Sequence, residues 1–345
     1  METTACIVHG KDDLRVETKT APEPNPGQVA VDVAFGGICG SDLHYVRDGR
    51  VGDFWIREPM VLGHEVVGRV ADAGDGSPLA AGTPVAVHPA TPCNECPQCR
   101  SGQRNICPRA RYLGSAARRP HVQGGFATRI VVPADQVYPL PPTLSLERAV
   151  VAEPLSVALH AVAQAGDLTG RTVLVTGAGP IGLLVVAALK EAGAARIIVT
   201  DLLPHPLELA RHVGATDIEL AGVQADAADL DPATVDIAVE ASGAAAGLNA
   251  CIDRVVRGGT VVLLGLLPPG GTPIPGNLVV TRELTLRGAF RFDHEFANAI
   301  DLLNQGLDVD AIVTHVFPLN QASEAFTIAA DRARASKVLL DLTAS

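Results

Sequence analysis

Four cysteines fall in one short stretch, Cys93, Cys96, Cys99 and Cys107, with the spacing C-x2-C-x2-C-x7-C. Four thiolates this close can enclose a tetrahedral zinc ion and leave it no open position, which makes a structural site. Such a site keeps two uncompensated negative charges, so amide donors and cations must stand near. Arg100, Arg104, Arg109 and Arg111 flank the loop. A C-x2-C-x2-C run also serves iron–sulfur clusters, although the x7 gap counts against that reading. A second constellation is more widely spread: Cys39 in Gly36-Gly-Ile-Cys-Gly-Ser-Asp42, His64 and Glu65 behind Gly63, and Glu153 before Pro154. A thiolate, an imidazole and a carboxylate would leave a zinc ion near neutral, with its fourth position open to an alcohol. Taken singly, these residues also read as a core cysteine, a capping histidine and a surface glutamate.

A third group points to a nucleotide. The β-branched run 172–176 leads directly into Gly177-Ala-Gly-Pro-Ile-Gly182. This is GxGxxG with a strand before it and a helix after it, the setting in which the motif carries meaning. Gly177 permits the tight turn, and Gly179 lets the backbone approach a pyrophosphate. Gly182 lets the helix pack close to its strand, so that its N-terminal amides face the phosphates. Pro180 suits the first helical turn, where no N–H is needed, and Ile181 follows it. A second run, 196–200, ends in Asp201, at the distance where a carboxylate accepts from the adenosine ribose hydroxyls and repels a 2′-phosphate. No arginine lies in 202–207 to receive such a phosphate, and His205 is the one ambiguous residue. The expectation is NAD in preference to NADP. The plain alternative makes Asp201 the start of a turn before Pro204.

The elements that must position these groups change in texture along the chain. Residues 1 to about 150 hold short β-like runs near 6–8, 29–35, 66–71, 84–88 and 128–132, punctuated by Pro and Gly. From about 155 to 290 strands alternate with helices, predicting helices over 180–192, 206–213 and 245–256. The strands between them fall at 172–176, 196–200, 235–240, 260–265 and 284–289. That alternation predicts a doubly wound parallel sheet, and hence an α/β chain. The aromatic content of 3% implies a core of Val, Ile, Leu and Ala, as suits buried parallel strands. The net charge of −11 argues against nucleic acid as a partner. No run is apolar for long enough to span a bilayer and no secretory signal is apparent, which predicts a cytoplasmic protein.

Taken in order, the Cys39 segment with Ser41, Asp42 and His44, the Gly63-His64-Glu65 step, the four-cysteine loop, Glu153-Pro154 and Gly177–Gly182 resemble the zinc-containing medium-chain dehydrogenase/reductase family over essentially the whole chain. The resemblance implies a GroES-like, mainly-β catalytic domain from 1–154 and 291–345, containing the structural zinc loop 93–107. It implies a Rossmann domain for NAD over 155–290, with the active site between the two. By the match of motifs, Cys39, His64 and Glu153 would hold a catalytic zinc, with Glu65 as an alternate ligand, giving two zinc ions per chain. Ser41 and His44 match a proton relay, and Gly265 and Arg291 would border the cofactor. A homodimer or homotetramer is implied as well.

Within the family the polyol dehydrogenases are the nearest branch. There the residues matching Tyr45 and Arg291, in Arg287-Gly-Ala-Phe-Arg-Phe292, hold substrate hydroxyls, and Phe292 stands where a tyrosine is common. The substrate class is therefore a small polyol or sugar acid. Arg118 and Arg119 are candidates to meet a carboxylate. A non-catalytic zinc scaffold is the alternative from another class, and would be expected to have lost a ligand or a glycine.

Overall fold

The computed structural model describes residues 2–73, 79–222 and 234–344. The β-branched runs of the first third become strands because one face of each finds a core. Val29, Val31 and Val33 are buried along the strand Gln28–Gly37 while Asp32 is exposed. Seven strands make the larger sheet, in the order Val137–Pro139, Pro84–Val87, Glu65–Ala73, Gln28–Gly37, Lys337–Asp341 and Val313–Pro318, with Arg129–Pro133 also paired to Gln28–Gly37. Its last two members come from the far end of the chain. Lys337–Asp341 runs antiparallel to Gln28–Gly37, the strand that delivers Cys39. The C-terminal segment thus completes the first half.

The second half is a six-stranded parallel sheet: Asp217–Leu220, Arg196–Asp201, Thr172–Thr176, Val235–Glu240, Val255–Leu263 and Thr285–Gly288. Successive strands move outward from Thr172–Thr176 in one direction and from Val235–Glu240 in the other. The crevice at the carboxyl ends of those two strands is the switch point at which such sheets take a ligand. The α/β class holds, with a mainly-β body beside a doubly wound sheet.

Differences from expectation have local causes. The strand Val255–Leu263 begins before 260 because Val255 still pairs with Val235 through an irregular register. The helix Pro204–Val213 starts two residues before Pro206, with Pro204 at its first position. The expected boundary at 154 falls inside the helix Ala152–Ala165, which carries Glu153 in its first turn. Leu155, Ala158, Ala161 and Val162 form its buried stripe, and it packs on both Pro180–Glu191 and Glu295–Asn304. One core runs through Val67, Leu155, Val173, Phe296 and Leu339, so the halves share an element instead of meeting at a linker. Among the described residues no helix is long and apolar enough to cross a membrane.

Candidate zinc centres and cofactor cleft

The cysteine loop closes on itself. Its sulfurs lie 3.9 Å apart for Cys93 and Cys99, 3.8 Å for Cys96 and Cys107, and 3.5 Å for Cys107 and Cys93. A tetrahedron with Zn–S bonds of ~2.3 Å has edges of roughly 3.8 Å, so one ion fits the four thiolates. An iron–sulfur cluster would spread the sulfurs over several irons, farther apart than this. Amide donors are in place: the Cys93 and Cys99 N–H groups each donate to a cysteine sulfur at 3.4 Å. Of the flanking arginines, Arg109 has its charge strengthened by Cys93 and by Glu95, which it meets at 2.6 Å. Arg104 departs from its expected role. Its Nε donates to Asp293 at 2.7 Å, tying the loop to the C-terminal segment instead of shielding the sulfurs.

The open constellation is assembled from three parts of the larger sheet. Cys39 precedes the helix Gly40–Asp48, and its N–H donates to Asp42 Oδ2 at 3.0 Å, as in a helix N-cap. The other oxygen of the buried Asp42 accepts from Gly63 N–H at 3.2 Å and lies 4.0 Å from His64 Nδ1. One carboxylate thereby registers the Cys39 turn against His64. Glu65 opens the strand Glu65–Ala73, and its two oxygens accept from Lys337 Nζ at 2.7 Å each. A side chain on Gly37 would sit 2.1 Å from Glu65 Oε2, which is why that position must be glycine.

The ligand atoms of Cys39, His64 and Glu65 lie within 4.8 Å of one another. Glu153 stands apart from that triangle, its Oε1 accepting from the Tyr112 hydroxyl at 2.6 Å. Burial opposes charge on His64, yet Cys39, Asp42 and Glu153 outweigh it and raise the imidazole to about 10. Burial also pushes the Glu65 carboxyl up, against the pull of Lys337. A thiol, an imidazole and a carboxylate converging within 4.8 Å, with Asp42 4.0 Å behind the imidazole, form a donor set that a divalent cation offsets. The donor set therefore fits zinc.

Beside this pocket stand the candidate substrate groups. The Arg291 guanidinium lies 4.2 Å over the Tyr112 ring and 4.8 Å over Phe290, on a backbone with φ of +55°. Burial lowers its pKa, and Arg118 is close enough to lower it further. Arg118 donates to the carbonyls of Ala110 and Pro108, which fixes its head on that loop. Arg119 is exposed. The Tyr45 hydroxyl is buried and accepts from Ala116 N–H at 2.9 Å. Phe292, expected at the substrate, turns the other way. It is stacked 5.7 Å from Phe296 and edge-on to His88, inside the core. Ser41 and His44 lie at i and i+3 on one helix, and His44 is exposed, with Nδ1 2.9 Å from Asp48.

The cofactor cleft opens at the switch point. Gly177 has φ of +92°, and a side chain there would meet Ser242 at 2.7 Å. A side chain on Gly182 would strike the Gly177 carbonyl at 1.9 Å, whereas nothing lies within 4 Å of one built on Gly179. The turn is therefore tight where it packs and empty where a pyrophosphate would lie against the first turn of Pro180–Glu191, with Ile181 half-buried behind. Gly179 and Pro180 share a cleft with Gly40 and Leu43, so the nucleotide turn faces the catalytic half. Gly265 donates to the Glu240 carbonyl at 2.9 Å, and a side chain there would meet Gly243 N at 2.3 Å, so it closes the rim of the crevice. Asp201 is buried at the end of its strand. The ring of His205 is half-buried, and its Nε2 has no hydrogen-bond partner among the described residues.

The alcohol dehydrogenase GroES-like domain family matches residues 25–142, and the zinc-binding dehydrogenase family matches residues 180–305. L-idonate 5-dehydrogenase (NAD(P)(+)) of Escherichia coli K12 is 38% identical over 99% of both chains. The crystal structure of L-idonate 5-dehydrogenase from that organism superposes with a TM-score of 0.95, covering 99% of each chain at 37% identity. The sorbitol dehydrogenase of Bacillus subtilis 168 is 36% identical over 93% of this chain and 92% of its own. The chain belongs to the zinc-dependent medium-chain dehydrogenase/reductase family, in its polyol dehydrogenase branch.

As a member of that family the chain is an oxidoreductase acting on CH–OH groups of polyol-type substrates, with zinc and a nicotinamide cofactor. Three residues that this family's short motifs do not reveal emerge from the site itself. Tyr112 bridges Glu153 and Arg291, with its ring 5.6 Å from His64. Lys337 neutralises Glu65, and Arg332 reaches Asp201. A Lys in an otherwise apolar C-terminal strand, Ser336-Lys-Val-Leu-Leu340, was the one available signal for the second of these.

Proposed function

We propose that this chain oxidises L-idonate at a secondary hydroxyl to 5-keto-D-gluconate, using NAD in preference to NADP. The observation that carries the reading is a pair of half-buried guanidiniums, Arg291 over the Tyr112 ring, which stands 5.6 Å from His64, and Arg118 on the nearby Pro108 and Ala110 carbonyls. Two half-buried guanidiniums flanking one segment suit a substrate carboxylate, which a neutral polyol lacks. Likeness to an enzyme named for L-idonate supports the same choice. The Asp201 carboxylate supports the NAD preference.

In this reading Cys39, His64 and Glu65 hold the catalytic zinc, with Glu153 the alternate carboxylate, and the four-cysteine loop holds a second ion. Bound at the first of these sites, zinc would supply the Lewis acidity that lowers the pKa of a substrate hydroxyl, and the nicotinamide would supply the hydride acceptor. The chain supplies the rest. Arg291 and Tyr45 orient the substrate hydroxyls, and Arg118 meets the carboxylate. Ser41 Oγ takes the departing proton and passes it toward the exposed His44 ring. The enzyme would act in the cytoplasm as a homodimer or homotetramer, joined through the sheet edge around Leu278–Leu286, where Val280 is exposed beside the edge strand Thr285–Gly288.

The test is a panel of L-idonate, gluconate, sorbitol, xylitol and threonine with NAD. L-idonate should exceed sorbitol in kcat/KM, and Arg118→Ala should cost roughly tenfold or more on L-idonate while sparing sorbitol. Equal use of sorbitol or xylitol, unaffected by that substitution, overturns L-idonate in favour of a neutral polyol. A freshly purified chain with one zinc and no turnover on the whole panel would favour the scaffold reading.

A further inference from the structure

Asp201, expected to accept from the adenosine ribose hydroxyls, is engaged by the protein itself. Its Oδ2 accepts from Ala178 N–H at 2.8 Å and from Arg332 Nη2 at 2.5 Å, and its Oδ1 accepts from Leu203 N–H at 3.1 Å. Arg332 lies 131 positions further along the chain, just beyond the helix Ala322–Ala330 of the catalytic half. Its side chain is half exposed while that of Asp201 is buried. It lines the cleft together with Ala178, Gly179 and Pro180, and a neighbouring hollow with Gly40 and His44. The cation therefore stands at the ribose end of the phosphate-binding turn, and among the described residues its one hydrogen bond is to Asp201, out of five N–H donors.

Two consequences follow for a nucleotide with a phosphate on its adenosine ribose. The repulsion expected from Asp201 is weakened, though not removed, by an ion pair. The same guanidinium offers N–H donors in the fork geometry that matches phosphate oxygens. We propose that Arg332 is a cofactor-specificity residue, an arginine supplied by the catalytic half that admits NADP beside NAD. The inference rests on reading the cleft as a dinucleotide site and goes beyond it. It replaces selection by the strand-end carboxylate alone with selection by an Asp201–Arg332 pair. The segment 202–207, which carries no arginine, is then not where discrimination lies.

The experiment is fluorescence titration of NADH and NADPH binding to the zinc-loaded wild type, Arg332→Ala and Arg332→Lys, with melting curves for each. Expected is a rise of about tenfold or more in the Kd for NADPH on Arg332→Ala, with NADH changed by no more than about twofold and partial recovery in Arg332→Lys. The ratio of kcat/KM for NADP over NAD should fall in parallel. Equal weakening of both nucleotides would assign Arg332 to the shared pyrophosphate or to domain closure, and would overturn the proposal. So would no change in either. If Arg332→Ala melts early, Arg332→Lys decides, since a merely structural cation there would not separate the two nucleotides. A wild type that binds NADH but loses both nucleotides alike in the variants sinks this inference alone. One that binds neither sinks the cofactor reading with it.

Discussion

The two groups of metal-binding side chains are built on opposite principles. In the cysteine loop, the outermost ligands are 14 positions apart, and backbone N–H groups from within the loop reach the sulfurs. In the open triangle, Cys39 follows one strand and His64 precedes another, and the carboxylate of Glu65 is neutralised by a lysine 272 positions away. The first is a closed staple that forms wherever its own loop forms. The second exists only when the whole larger sheet, C-terminal strand included, is in register. A structural ion gains from locality. A catalytic one needs an open side, and the protein provides that side by drawing its ligands from elements that also bound the cleft.

The comparison breaks or sharpens first at its ligands. His64→Ala should abolish turnover and lower bound zinc from two ions per chain to one, while NADH titration and the melting temperature stay near wild type. Loss of NADH binding would mean that the triangle and the cofactor turn are not separate constructions. Cys96→Ser should do the reverse. It should release the loop ion and lower Tm by roughly ten degrees or more, yet leave turnover measurable below the new Tm. If Cys96→Ser abolished turnover at unchanged Tm, the contrast between staple and active centre would fail.

Next comes Lys337, buried against Glu65. Removing one partner of a buried ion pair leaves an uncompensated charge, at a cost of about 3–5 kcal/mol. Bound zinc would replace the missing positive charge. Lys337→Met should therefore lower Tm by about ten degrees in a chelator and by clearly less with zinc present. Equal loss in both conditions would remove Glu65 from the metal's surroundings and favour Glu153 as the resting ligand.

The same contrast explains what the sequence made legible. The cysteine loop, the Gly177–Gly182 turn and the strand Thr172–Thr176 are local, so residue type and spacing nearly specify them. Tyr112 with Glu153, Arg332 with Asp201 and Lys337 with Glu65 are separated by 41, 131 and 272 positions, and no period or spacing links them. Phe292 misled because it neighbours Arg291 in sequence. The left-handed backbone at Arg291 sends the two side chains to opposite sides, one over Tyr112 and one into the core. Arg104 misled for a related reason, since proximity to the cysteines did not disclose the pull of Asp293.

The smallest effect concerns the joint between the two constructions. Asn105, two residues before Cys107, donates to the Phe290 carbonyl at 2.9 Å and lies 3.3 Å from His160 Nε2. His160 Nδ1 in turn meets Glu295 at 2.7 Å, linking the helix that carries Glu153 to the one that follows Arg291. Burial pushes the Glu295 carboxyl up, but the hydrogen bonds from His160 and from Asp293 N–H outweigh it and hold the group at about 2, below its ordinary 4.5. A carboxyl depressed in the folded state contributes stability that is fully present above its unfolded pKa and is lost as pH falls through the folded value. Glu295→Gln should therefore lower Tm by a few degrees at pH 5 to 7. The gap from wild type should close as the pH is taken below about 4.5 toward 2. A gap that persists unchanged at low pH would show that the amide disturbs packing instead of charge. If Glu295→Gln also released the loop ion, the staple would depend on the neighbouring helices, and the self-sufficiency that separates it from the open triangle would be lost.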